Sequence, residues 1–152
     1  MTPSRVDADI VRNKLDAIER SCGVLASIGE VDARRLVADP IVAAAVERLL
    51  GRVVDLAVEV NSPVVSARLG RGPAEYRESF DLAVEAGLID ESLADRLEPS
   101  VGMRDAIVHE YVRLDLERVA TAVPLAVEVF RRFVTTVARN LTDGNDRDST
   151  SR

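Results

Sequence analysis

Tryptophan is absent from these 152 residues, and aromatic residues make up only 3% of them. Sandwiches and barrels rely on aromatic side chains to fill the faces of their sheets, so a chain poor in rings and rich in Ala, Val and Leu reads as packed helices. Cys22 is the sole cysteine, which excludes an intramolecular disulfide. With one histidine beside it, a tetrahedral Cys/His zinc site cannot form within one chain, and neither a metal nor a cofactor is expected. Walker-type glycine loops, Gly-x-Ser-x-Gly elbows and internal repeats are missing as well. No window approaches the ~18 apolar residues of a membrane span, and the opening Met-Thr-Pro-Ser-Arg-Val-Asp has no apolar run of signal-peptide type, so a cytoplasmic protein with no membrane partner is expected. The formal net charge is −6. Such a field opposes diffuse nucleic-acid binding and confines any RNA site to a local basic patch.

What is present is helical periodicity. Val11, Leu15, Ile18, Cys22 and Leu25 form the apolar seam of a helix from about Asp9 to Ser27, with Asp7 or Asp9 as N-cap and Gly29 beyond its end. This seam makes Cys22 a core residue rather than a reactive one. After a short segment over 31–38, Asp39-Pro40 announces a long helix. Val42, Val46, Leu49, Val53, Leu56 and Val60 repeat the spacing, while Leu50, Val54, Ala57 and Val58 widen the apolar surface. That helix needs partners on two sides: the first helix, and either another helix of the bundle or a second subunit. Pro63 is expected to kink or end it near Asn61-Ser62. Leu-Gly-Arg-Gly-Pro, residues 69–73, is the clearest loop. Tyr76, Phe80, Ala83 and Val84 mark the next helix, closed by Gly87; Asp90 caps another, interrupted at Pro99. A fresh start at Pro99 runs to about Val112, and Asp115 caps a last long helix whose seam ends at Leu141. The reading is a single all-α domain over 1–142, an up-down bundle of four to five main helices, followed by a disordered polar tail over 143–152.

Chemistry concentrates between Met103 and Arg113, which hold the only histidine, one of two tyrosines and two arginines. On a helix, Asp105 and His109 stand one turn apart, and Arg104 and Tyr111 two turns apart on another face. Arg104 and His109 are separated by about 140°, so one helix aims both at a single point only through long side chains or a facing second copy. Taken singly, these residues are compatible with a surface ion pair, a capping histidine and a core tyrosine.

Their order says more. Arg104-Asp105, three residues, His109-Glu110-Tyr111, then Leu114-Asp115 opening a long helix, resembles the HEPN superfamily and specifically its HepT-like toxin branch, with its Arg-x4-His-x-Tyr motif. Glu47-Arg48-Leu49-Leu50, Glu59-Val60-Asn61, Tyr76-Arg77-Glu78-Ser79-Phe80 and Ala86-Gly87-Leu88-Ile89 resemble it too, so that the similarity spans roughly residues 8 to 141. Asp105 departs from the Asn that commonly follows the arginine, and Pro63 is atypical. The resemblance implies an all-α, HEPN-like bundle forming a two-fold homodimer around the motif helix. It further implies a metal-independent endoribonuclease toxin acting on tRNA or mRNA, and a minimal nucleotidyltransferase antitoxin as partner. Arg104 and His109 would be catalytic, Asp105 would support His109, and Tyr111 would be adenylylated by the antitoxin. The alternative is a non-catalytic HEPN-type module that binds nucleotide or RNA, or scaffolds a partner, through the same cleft.

Overall fold

The computed structural model describes residues 5–109 and 113–149, with side chains over 8–109 and 113–142. Helix α1 (Arg5–Ser27) starts before the expected boundary, so Asp7 and Asp9 lie within it and do not cap it, but it carries the expected seam: Val11, Leu15, Ile18, Cys22 and Leu25 are each at most 5% exposed. Burial pushes the Cys22 thiol up to about 11, which leaves it protonated and unreactive at neutral pH. Asp32 caps the short α2 (Ala33–Ala38) by accepting the Arg35 N–H at 2.8 Å. Arg35 returns along the chain to donate to the carbonyls of Ile28 and Glu30, fastening the turn between α1 and α2.

Asp39 and Pro40 open α3 (Pro40–Leu69) as the capping rule requires, the Asp39 carboxylate accepting from the N–H groups of Ile41 and Val42. Of the two outcomes expected at Pro63, the ending does not occur: α3 does not stop at Asn61-Ser62 but runs through Pro63. Proline there removes the bond to the carbonyl of Glu59, a water-exposed residue, while Val60, Val64 and Val65, each at most 1% exposed, hold the helix from both sides of the gap. The wide apolar surface of α3 is also explained within one chain. Val46, Leu50, Val53, Val54, Ala57 and Val58 are all buried, against α1 on one side and later helices on the other. That surface therefore gives no argument for a second subunit.

Three further helices follow: α4 (Tyr76–Glu85), α5 (Glu91–His109) and α6 (Leu116–Ser149). Gly87, at φ 74°, takes the left-handed position after α4 that a side chain resists. Asp90 caps α5 by accepting the Leu93 N–H at 2.7 Å. The interruption expected at Pro99 is absent, and α5 is continuous. Pro99 sits on the solvent side, so the freed carbonyl of Asp95, also exposed, can bond to water, while buried Leu97 and Val101 keep the register. Asp115 caps α6, accepting from Glu117 and Arg118 at 3.1 and 3.3 Å. Helical backbone in α6 passes an exposed Pro124 and continues to Ser149, beyond the boundary expected at 142.

The helices close a ring in which α1 and α5 each pack on both α3 and α6, with α4 laid against α3 and α5. Phe133 fills the centre, edge-on to Phe80 of α4 and Phe130 of its own helix at 6.3 and 6.5 Å between ring centroids. The architecture is the expected all-α bundle, with five principal helices and the short α2 among the described residues. No helix among the described residues is long and apolar enough to cross a membrane.

Candidate active site

Where the start of α4 approaches the end of α5, an open cleft of about 430 Å³ is lined by Glu75, Tyr76, Arg77, Arg104, Asp105 and His109. The approach is built by local sequence. Gly70 (φ 69°) terminates α3 in a left-handed turn, Arg68 donates to the carbonyl of Ala86, and Arg71 pairs with Glu85 at 2.6 Å. Glu78 reaches back to accept the Ala74 N–H at 2.9 Å, in place of a side-chain cap from Glu75. Deeper down, Asn61 of α3 donates to Ser79 of α4 at 3.1 Å in a fully buried contact, which fixes the register of the two helices. Tyr76, first residue of α4, is thereby set over α5.

Arg104 is the centre of the cleft's chemistry, with its side chain 20% exposed. Its Nε donates to Asp55 Oδ1 of α3 at 3.1 Å, its Nη1 lies 3.5 Å from Asp105 Oδ1, and its Cζ stands 4.2 Å from the centroid of the Tyr76 ring. Contacts of this kind hold a guanidinium by its edge and its face together. Burial first, and then the Asp55 carboxylate, raise the Tyr76 phenol above its ordinary value of 10.0. Arg77 also lines the cleft, 3.8 Å from Glu98. Its lining thus mixes two arginines and a histidine with two carboxylates.

His109 is the last residue of α5 and is exposed on the cleft wall. The separation around the helix does not keep it from Arg104's cleft, because the long arginine side chain reaches across and α4 closes the far side. One copy of the chain is enough to bring Arg104 and His109 to the same cleft. Asp105 is placed otherwise than expected. Its carboxylate leans to Arg104, and the hydrogen bonds among the described residues include none between Asp105 and His109. Tyr111, with Glu110 and Val112, lies outside the described residues. No group of three His, Cys, Asp or Glu side chains among the described residues is placed to hold a metal ion.

Sequence reasoning passes over Asp55 as a member of the site, and uses Tyr76 as a helix marker and a part of the family resemblance without placing it in the site. A signal for Asp55 exists: it is the one carboxylate inside Val53-Val54-Asp55-Leu56-Ala57-Val58, a run whose other side chains are buried. An acid in such a run lies at the edge of the packed face, where a cation from a neighbouring helix can reach it, as Arg104 does.

Comparison with known proteins agrees with this architecture. A family model described as Ribonuclease HepT-like matches residues 9–137. Among curated proteins, the chain is 37% identical over 62 residues to an mRNA nuclease HepT of Shewanella oneidensis, a match covering 41% of this chain and 47% of that protein. It is 30% identical over 91 residues to a tRNA nuclease HepT of Aphanizomenon flos-aquae, covering 58% of this chain and 60% of that one. The matched segment thus spans about half the length of these curated relatives. Among solved structures, a tri-AMPylated HEPN toxin of Shewanella oneidensis in complex with an MNT antitoxin superposes with a TM-score of 0.76 at 26% identity, covering 86% of this chain and 98% of that one. The match to the family model extends over most of the sequence, including Arg104, Asp105, His109 and Tyr111. The chain belongs to the ribonuclease HepT-like family.

Proposed function

We propose that this protein is the toxin of a toxin–antitoxin pair, a metal-independent endoribonuclease that cuts tRNA or mRNA and is neutralised when a nucleotidyltransferase antitoxin adenylylates Tyr111. The observation that supports it is the convergence of Arg104 and His109 on one open cleft in a chain of this family. In RNA cleavage of this type the 2′-hydroxyl attacks the adjacent phosphate and the 5′-oxygen leaves. His109 takes the 2′-hydroxyl proton or returns one to the 5′-oxygen, and imidazole suits both tasks near neutral pH. Arg104 is permanently charged and holds the phosphate oxygens as negative charge builds on them. One histidine cannot do both proton transfers at once, and a two-fold homodimer supplies a second.

Tyr111 enters through the motif's resemblance. Transfer of AMP from ATP to its phenol oxygen releases pyrophosphate and adds an anionic diester to the chain, which competes for the charge that RNA needs. After co-expression with the cognate nucleotidyltransferase, the peptide bearing Tyr111 is expected to gain one or more AMP units, and Tyr111→Phe to stay unmodified and toxic. An unmodified peptide from a neutralised pair refutes this route.

Purified protein is expected to cleave RNA in the presence of EDTA, with Arg104→Ala and His109→Ala each losing at least about 100-fold in rate. Cleavage that persists in His109→Ala sinks the proposal. One observation favours a second reading, a module that binds RNA or nucleotide without turnover: Asp55 and Asp105 already engage Arg104 within the chain. On that reading Arg104→Ala weakens salt-sensitive binding and His109→Ala changes little.

A further inference from the structure

We propose that Asp55 and Tyr76 are positioning residues for Arg104, fixing its guanidinium so that the Nη edge is the part offered to phosphate; the inference rests on the ribonuclease reading above. A guanidinium carries its five N–H donors in one plane and can be gripped along its Nε side, along its Nη end, or on its faces. Asp55 takes the Nε side at 3.1 Å, and the Tyr76 ring takes one face at 4.2 Å. An in-plane contact and an out-of-plane contact together stop both the swing and the roll of a long side chain. They come from two different helices, α3 and α4, neither of which carries Arg104.

What remains is the Nη end. The one carboxylate near it among the described residues is Asp105, at 3.5 Å and 50% exposed, a contact that an incoming phosphate can displace. Asp55 is not among the residues lining the cleft, so it acts on substrate through Arg104. A donor edge oriented in advance needs no reorganisation when charge develops on the phosphorane, and this is where a fixed guanidinium gains over a mobile one. The same geometry distinguishes positioning from simple charge balance. A carboxylate that merely cancelled Arg104's charge would weaken RNA binding, and its removal would tighten it.

The test uses the full chain and two readouts. The first needs no turnover: in nitrogen-15 NMR spectra the Arg104 Nε–H resonance, assigned by its loss in Arg104→Ala, should exchange slowly with water in the wild type and in Asp55→Asn, and fast in Asp55→Ala. The second is cleavage of a single-stranded RNA oligonucleotide. Asp55→Ala should lower kcat about 10- to 100-fold while moving KM less than about threefold, and Asp55→Asn, which still accepts the Nε–H, should recover to within about fivefold of the wild type. Tyr76→Leu should lose kcat in the same manner, and Tyr76→Phe, which keeps the ring face, should not. Added to Arg104→Ala, Asp55→Ala should cost nothing more, because its effect passes through Arg104. An effect confined to KM, a loss undiminished in the Arg104→Ala background, or a fast-exchanging Nε–H in the wild type overturns the proposal. Urea melts identify any variant that fails to fold; should Asp55→Ala be one, Asp55→Ser carries the comparison with Asp55→Asn. A wild-type protein that cuts no RNA yet keeps a slow, Asp55-dependent Nε–H defeats the ribonuclease reading and leaves the positioning contact in place.

Discussion

Two carboxylates engage Arg104, and Asp105 is the one that also lines the cleft. Asp105 lies 3.5 Å from Nη1 and is half exposed, so it shares the edge that phosphate would use and repels phosphate in its own right. Asp105→Asn keeps the shape and removes the charge, and it is expected to lower KM for RNA about two- to fivefold at low salt, the scale of an exposed ion pair. Steady-state kinetics at two salt concentrations check this, and a raised KM refutes it. At this scale the site is partly legible in sequence. Arg104 and His109 stand out because rare residues sit at a fixed spacing on one segment. Asp105's allegiance does not, since i+4 spacing makes His109 an equally good neighbour and only the placement of Arg104 decides between them. Asp55 is legible merely as an acid in an apolar run, because its partner is 49 residues away.

Among the elements, the caps expected at Asp39, Asp90 and Asp115 read correctly, the one expected at Asp7 or Asp9 does not because α1 already starts at Arg5, and Pro99 does not interrupt α5. Asp32, Asp39, Asp90 and Asp115 each accept N–H groups of the helix they precede. A cap is a local contact, fully specified by neighbouring residues. Whether a proline ends a helix depends instead on burial either side of it, which the apolar residues flanking Pro63 and Pro99 supply from other helices. Restoring the missing N–H on the exposed side of α5 by Pro99→Ala should raise stability by about 1–2 kcal/mol in urea unfolding, the helix gain less the entropy that proline removes from the unfolded chain. A lower midpoint would contradict it. In α1 the titration of Cys22 sets an alkaline limit. Its folded-state pKa, about 11, lies above the ordinary 9.0, so the folded chain retains a proton that the unfolded chain releases. Stability is complete below about pH 9 and falls as pH rises toward 11. Cys22→Ala should lack that part of the decline, and equal declines in both proteins would remove this account.

For the whole molecule, the all-α bundle follows from composition and periodicity, whereas the cleft depends on how α4 is laid over α3 and α5, which no periodicity specifies. With both Arg104 and His109 present in one copy, the case for a homodimer rests on the need for a second proton-transfer group. Light scattering of active protein is expected to give the mass of two chains, and a monomer with full activity refutes the composite site. Phe133, wholly buried and touching both Phe80 and Phe130, should cost about 3–5 kcal/mol when cut to Ala, seen as a shifted urea midpoint without lost helix content at zero denaturant. The reach from Asp55 to Arg104 has a bearing on synthesis as well. Nascent chain emerging from a ribosome makes α1 to α4 before it has any of Arg104, and α5 gains its third neighbour only when α6 follows. The Asp55 carboxylate and the Tyr76 ring are thus already made when Arg104 is added, and the grip on its guanidinium can close as soon as α5 forms.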